Sequence, residues 1–224
     1  MIQRLIILTV FLIGFVGCAG HNYMFGERIS GNGDIVTEAR DVGYFTELRV
    51  TGARSTVVYG DEDGPIRLTG DSNILENTVS YIDGDRLVIT SKSSVSMNPT
   101  QRVEIEIPST RLNAVQVSGS NRIVLNNIEQ NTFEIRGSGS TRVKANGYAD
   151  ILDIRMSGSS QIDAPDLISE SAAIRTSGSS KAVVNVSGKL ESRSSGSSEI
   201  VVHGNPSEIV NQSSGSSRLR SVSN

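Results

Sequence analysis

Between Leu112 and Asn224, apolar and polar positions alternate on both sides of a glycine that returns at a near-constant interval. The glycines are Gly119, Gly139, Gly158, Gly178, Gly196 and Gly215, each inside a Ser-Gly-Ser motif, and the steps between them are 20, 19, 20, 18 and 19 residues. Counted from the glycine, position −4 holds Val115, Ile135, Ile154, Ile174, Ser192 and Asn211, and position +4 holds Ile123, Val143, Ile162, Ala182, Ile200 and Leu219. Positions −6 (Asn113, Phe133, Leu152, Ala172, Leu190, Ile209) and +6 (Leu125, Ala145, Ala164, Val184, Val202, Ser221) follow the same rule. A period of two is the strand signature, with even positions turned inward and odd positions outward. Each repeat therefore predicts two short strands joined at a glycine corner and closed by a second, more variable turn.

A fixed period of this size marks a solenoid, whose repeats bury their apolar faces only against their neighbours. About 19 residues is too few for a helical hairpin repeat. The fold class expected is all-β: a parallel β-helix of 19–20 residues per coil, with adjacent coils roughly 4.8 Å apart. Glycine suits a tight corner, and serines at −1, +1 and often +2 are expected to stack as hydroxyl ladders that cap its free backbone groups. A flexible Gly/Ser linker would share the composition but not the apolar columns in register.

The first half is strand-rich and less regular. Leu48, Val50, Val57 and Tyr59 alternate on either side of Gly52, and Arg67–Thr69 extends another strand. Asp71 or Ser72 is a candidate cap for a helical turn through Leu75. Asp83-Gly84-Asp85 predicts a hairpin turn between Val79–Ile82 and Arg86–Thr90. Val103, Ile105 and Ile107 form a strand stopped by Pro108. Ser30 to Asp34 is a candidate first, diverged corner, and residues 91–100 are expected to be a loop. The whole reads as one solenoid domain over residues 29–224, with irregular first coils over 29–110 that cap the stack and six Ser-Gly-Ser coils over 111–224.

The first 18 residues change the picture of address. Arg4 precedes an apolar run from Leu5 to Val16, interrupted only by Thr9 and Gly14. Such a run fits an export signal over 1–17 and is short for a membrane span. Phe15-Val16-Gly17-Cys18 resembles a bacterial lipobox, which implies lipidation of Cys18, a membrane partner through that lipid, and a tether over 18–28. Ala19 after the cysteine implies outer-membrane sorting. Ordinary cleavage after Ala19 is the alternative, giving a secreted or periplasmic protein. Cys18 is the sole cysteine, so no internal disulfide is available. The net charge of −3 includes no basic domain of the kind that binds nucleic acid.

Arg40-Asp41-Val42 with Phe45, Leu48, Val50 and Gly52, then Asn73-Ile74-Leu75, Leu87-Val88-Ile89 and the Ser-Gly-Ser ladder, resemble the putative auto-transporter adhesin head GIN domain family. The resemblance covers about residues 30–222. It implies an exported or lipid-anchored envelope protein with a β-helical domain and an adhesin-like role, and it supplies no catalytic residues.

The residues themselves offer little chemistry. Two histidines, His21 and His203, and one cysteine cannot build a His- or Cys-based metal site, so no cofactor or metal is expected. The serines lack a partner base and are read as structural. Asp163 and Asp166 flank Ala164-Pro165; a carboxylate pair could serve glycoside hydrolysis, but a solvated turn explains them as well. The odd positions are more informative. Position −3 holds Gln116, Arg136, Arg155, Arg175, Arg193 and Gln212, and position +3 holds Arg122, Arg142, Gln161, Lys181, Glu199 and Arg218. Glu134, Asp153 and Glu191 at −5 stand beside three of the arginines. One reading is a solvated face whose charges pair between strands. The other is a ridge of Arg136, Arg155, Arg175, Arg193, Arg122, Arg142 and Lys181 that binds an anionic glycan or surface partner through guanidinium forks. The function expected is a non-enzymatic envelope module, structural or adhesin-like. A carbohydrate-active β-helix enzyme and an envelope-stress or signalling accessory protein are the alternatives.

Overall fold

The computed structural model describes residues 27–222, apart from 53, 61–63, 94, 109 and 110. The expected export signal, Cys18 and the expected tether up to residue 26 lie outside the described residues, while Glu27 and Arg28, expected to end the tether, begin the first strand. Seventeen strands and one helical turn follow in order. They are β1 (Glu27–Ser30), β2 (Ile35–Arg40), β3 (Glu47–Val50), β4 (Ser55–Gly60), β5 (Ile66–Asp71), α1 (Ser72–Leu75), β6 (Thr78–Asp83), β7 (Arg86–Ser91), β8 (Val95–Asn98) and β9 (Val103–Pro108). The ladder comprises β10 (Ala114–Gly119), β11 (Arg122–Gly139), β12 (Arg142–Met156), β13 (Gln161–Thr176), β14 (Lys181–Ser194), β15 (Glu199–His203), β16 (Glu208–Ser213) and β17 (Arg218–Ser221).

The molecule is a parallel β-solenoid of about five turns with a less regular N-terminal part. Coil stacks on coil in parallel register: Ile123 faces Val143, Val143 faces Ile162, and Ile135 faces Ile154. Where the aliphatic columns hold, they are dry. Val115, Ile135, Ile154 and Ile174 are each at most 1 % exposed. The side chains enter one continuous core that runs from Phe45 to Val202. Fully burying an aliphatic or aromatic side chain contributes about 1.5–3 kcal/mol, so each Phe, Leu or Ile column is a principal source of stability.

Three departures from strict alternation have local causes. The long strands β11 to β14 bend between the two predicted walls, and a third wall carries its own inward residues, Ile128, Ala149, Leu167 and Val186. Asn113 is exposed and Leu112 is buried in its place, because position 113 precedes β10 and spends its backbone joining Thr46 and Glu134. In the last coil Ile209, Asn211, Ser213 and Ser221 are exposed, since among the described residues no coil covers that face of the stack.

The irregular half extends both main walls. Strand β3 lies parallel between β10 and β7, and β4 lies parallel between β11 and β9. Antiparallel strands then close the end: β6 on β7, and β2 and β5 beyond β9. Gly52 lies one step before Gly119 along the glycine edge, with its carbonyl 3.7 Å from where a Gly119 Cβ would stand. After Gly52 the corner holds one extra residue. The buried positions are therefore Ser55, Val57 and Tyr59, odd counts from the glycine.

The stretch from Ser30 to Asp34 is not a corner of the stack. It is a turn leading from β1 into β2, which runs antiparallel to β5. Residues 95–98, expected within a loop, form β8 alongside β1, because the backbone of Val95–Asn98 finds a parallel partner there. The hairpin at Gly84-Asp85 and the end of β9 at Pro108 follow the sequence expectation.

Candidate functional site

The corner glycines share a left-handed backbone, with φ between +72° and +92° from Gly119 to Gly215. They also touch one another. A Cβ on Gly158 would lie 2.8 Å from the Gly139 carbonyl oxygen, and on Gly178 it would lie 2.6 Å from that of Gly158. Each of these carbonyls accepts the N–H of the +1 serine in the next coil, as in Ser159 to Gly139 and Ser179 to Gly158, both 2.8 Å. The hydroxyls at +2 turn inward and donate back across the corner, Ser160 to the Ser157 carbonyl at 2.9 Å and Ser180 to that of Ser177 at 3.1 Å. The capping expected of three serine positions therefore falls chiefly to the backbone at +1 and the hydroxyl at +2. The serines at −1 and +1 stay at or near the surface, and at −1 the hydroxyls of Ser177 and Ser214 make long bonds to the Met156 and Ser194 carbonyls at 3.5 and 3.4 Å.

The second corner has its own polar ladder at +7, legible as Asn126, Asn146 and Asn185 but missed in the pattern of apolar residues. The Asn146 side chain accepts from the Asn127 N–H at 2.8 Å and donates to the Asn126 side-chain oxygen at 3.1 Å, and Asn185 donates to the Pro165 carbonyl at 3.0 Å. His203 follows Asn185 in register at this corner.

On the wall before the glycine, Gln116, Arg136, Arg155, Arg175, Arg193 and Gln212 stand in one column. Arg49 extends it by one coil, a member that repeat-counting omitted. The acidic column beside it runs between the guanidinium groups. Glu134 binds Arg136 at 2.9 Å and reaches Arg155 at 3.6 Å; Asp153 binds Arg155 at 3.0 Å and reaches Arg175 at 3.6 Å. Three guanidinium groups thus share two carboxylates, with the arginines nearly half exposed. Ion pairs of that exposure contribute about 0–1 kcal/mol each. Glu191 is occupied by Lys189 at 2.8 Å, which with its salt-linked charge, and more weakly Arg193 and Arg175, holds the carboxyl below its usual pKa.

Between this arginine column and the serines at −1 runs a groove. It has a volume of about 300 Å³, walls of Arg136, Arg155, Arg175 and Ser138, Ser157, Ser177, and a floor that includes Gly137. A second hollow of about 460 Å³ continues it past Arg193 and Ser195 to Gln212 and Ser214.

The other column, after the glycine, is mixed. Arg122 and Arg142 are neighbours, followed by Gln161 and Lys181. Lys181 is spoken for by Glu199 at 3.0 Å, which lowers the Glu199 pKa. The structure thus divides the predicted ridge into a groove wall and a separate strip across the glycine edge. Asp163 stands opposite Lys144 and Asp166 opposite Asn146, on either side of the second corner. Among the described residues no three His, Cys, Asp or Glu side chains are grouped to hold a metal ion.

The family comparison adds to this geometry. Residues 44–206 match the family described as "Putative auto-transporter adhesin, head GIN domain". The chain belongs to that family. The head GIN match covers the first regular walls and all but the last coil. Solved structures share the fold at low identity. A "putative adhesin" from Bacteroides fragilis NCTC 9343 is 16% identical with a TM-score of 0.68, covering 87% of this chain and 100% of that one. A "putative lipid binding protein" from Parabacteroides distasonis ATCC 8503 is 22% identical with a TM-score of 0.57, covering 88% and 100%. A "putative adhesin" from Parabacteroides merdae ATCC 43184 is 15% identical with a TM-score of 0.55, covering 88% and 99%. No curated protein matches the chain. Among the described residues no helix is long and apolar enough to cross a membrane.

Proposed function

We propose that this head GIN protein is a non-enzymatic, adhesin-like module of the bacterial cell envelope, anchored by lipid on Cys18, that holds an anionic polysaccharide along its arginine–serine groove. The observation that carries the reading is the groove itself, where Arg136, Arg155 and Arg175 recur once per coil opposite Ser138, Ser157 and Ser177. Guanidinium forks suit carboxylate and phosphate oxygens, hydroxyls suit sugar hydroxyls, and a repeating wall suits a repeating polymer. The carboxylates of Glu134 and Asp153 keep the wall from being strongly cationic, so binding is expected to be weak per coil and to gain strength from the number of coils engaged.

The test is binding of the full chain to an array of acidic polysaccharides and lipopolysaccharide. Arg136→Gln, Arg155→Gln and Arg175→Gln together should leave the fold intact and weaken binding about tenfold or more, given the usual worth of charged hydrogen bonds. Wild-type protein with no salt-sensitive binding to any member of the array would refute the reading. The anchor is checked separately: metabolic lipid labelling should mark wild type and not Cys18→Ser.

A further inference from the structure

The strip across the glycine edge holds a different kind of charge. Arg102, Arg54, Arg122 and Arg142 come from four successive coils at the junction of the irregular half and the ladder. The Val103 N–H donates to the Arg54 carbonyl at 3.0 Å, which sets Arg102 beside Arg54. The Ser55 N–H and hydroxyl bond the Asn121 side-chain oxygen at 2.8 and 2.9 Å, which brings the next coil against them. Arg122 and Arg142 are then direct register partners. At roughly 4.8 Å per coil, the four backbones span about 14 Å.

Arg102 is half-buried and pinned across two coils. Its Nη1 donates to the Ser55 carbonyl at 3.2 Å and to the Ser120 carbonyl at 2.8 Å. Burial, and then the positive charges of Arg122, Arg54 and Arg142, lower its pKa. Among the described residues none of the four arginines has a carboxylate at ion-pairing distance, in contrast to the arginines of the groove. Two acids on the same wall, Glu104 in register with Thr56 and Thr69 and Asp163 in register with Lys144, make no ion pair with these arginines. Lys144, two residues beyond Arg142, is exposed, with Asp163 in register beside it.

We propose that Arg54, Arg102, Arg122 and Arg142 form a binding site for a phosphate or sulfate ester group carried on a sugar. This site is distinct from the groove and does not rest on the polysaccharide reading. Uncompensated like charges raise the local positive potential, and a compact oxyanion relieves it. The guanidinium fork offers paired donors to two oxygens of a tetrahedral group. A doubly charged phosphate ester answers this cluster better than a singly charged carboxylate.

The experiment titrates the full chain with glucose 6-phosphate, galactose 6-sulfate and glucuronate, following the amide N–H signals of Ser55, Arg122 and Arg142 by NMR. Saturable shifts are expected, tightest for the phosphate ester and weakest for glucuronate. Arg122→Gln with Arg142→Gln should weaken the phosphate ester about tenfold or more. Removing two like charges should preserve the fold, which the unchanged remainder of the spectrum reports. The groove triple variant should bind the phosphate ester as wild type does. No saturable shift, equal binding of glucuronate, or full affinity in the Arg122/Arg142 variant would overturn the proposal. Loss of polysaccharide binding in the groove triple variant alone leaves this site standing, and loss of ester binding in the double variant leaves the groove standing.

Discussion

At the residue scale, one glycine shows how little freedom the corner has. Gly158 has φ +76°, and its missing Cβ would meet the Gly139 carbonyl oxygen at 2.8 Å. That oxygen is already accepting the Ser159 N–H, so it cannot move away without breaking a ladder bond. Gly158→Ala should therefore destabilise by about 1–3 kcal/mol from backbone strain alone, and by more from the clash. Chemical denaturation of wild type and variant measures it. A variant as stable as wild type would mean that the corner is not packed glycine on glycine. The same substitution at Gly33, also at positive φ but with nothing within 4 Å of a Cβ, lacks the clash.

The elements of the irregular half are tied by a single buried carboxylate. Asp71 occupies the cap position of α1, yet its side chain makes no cap bond. It accepts instead from the Gly33 N–H at 2.8 Å, the Thr100 N–H at 2.9 Å and the Thr100 hydroxyl at 2.7 Å. One side chain thus joins the turn after β1, the end of β5 and the approach to β9. Burial alone would raise its pKa, but the bonds from Thr100, Gly33 and its own backbone outweigh that and hold the pKa below the usual aspartate value. A depressed folded pKa means that the stabilisation is present above the unfolded value of about 3.9 and is lost as pH falls through the folded one. Melting temperature should drop as pH falls below about 4, and Asp71→Asn should lower it at pH 7 while flattening that acid dependence. An equally steep acid dependence in the variant would place the titrating group elsewhere.

At the scale of the whole molecule, the core changes along its axis. Early coils bury Phe133, Leu152 and Ile154; later ones bury Ser192 and Ser194, and Ser192 donates to Asn211 at 2.7 Å. Among the described residues the Thr176 and Ser194 hydroxyls are buried without a hydrogen-bond partner. Stability in a solenoid is nearly a sum over neighbouring coils, so the end near β17 holds more loosely than the centre. Polar inward residues Asn211, Ser213 and Ser221 dilute the apolar edge of the last coil, where Ile209 and Val210 are exposed. Across the surface, charge is sorted by wall: acids interleave with the arginines of the groove, while among the described residues Arg54, Arg102, Arg122 and Arg142 have no carboxylate at ion-pairing distance. The polysaccharide binding tested with the groove variant should accordingly fall with added salt, since the charges that make it are exposed.

Spacing along the chain was enough to determine the coil length, the inward columns and the glycine edge, because a strand's side chains alternate whatever surrounds them. It also carried the arginine column, whose members recur at one offset. What only the tertiary structure decided lies where the count breaks or where distant segments meet. The extra residue after Gly52 reverses the parity of β4, and pairing across coils, not local spacing, sets which residues are buried there. Arg102 joins Arg122 because β9 stacks on β4 and β4 on β11, an adjacency without a signature in the repeat. Charge compensation is likewise a matter of which carboxylate lies within reach in the next coil, and a periodic sequence fixes the offset of a residue but not its partner.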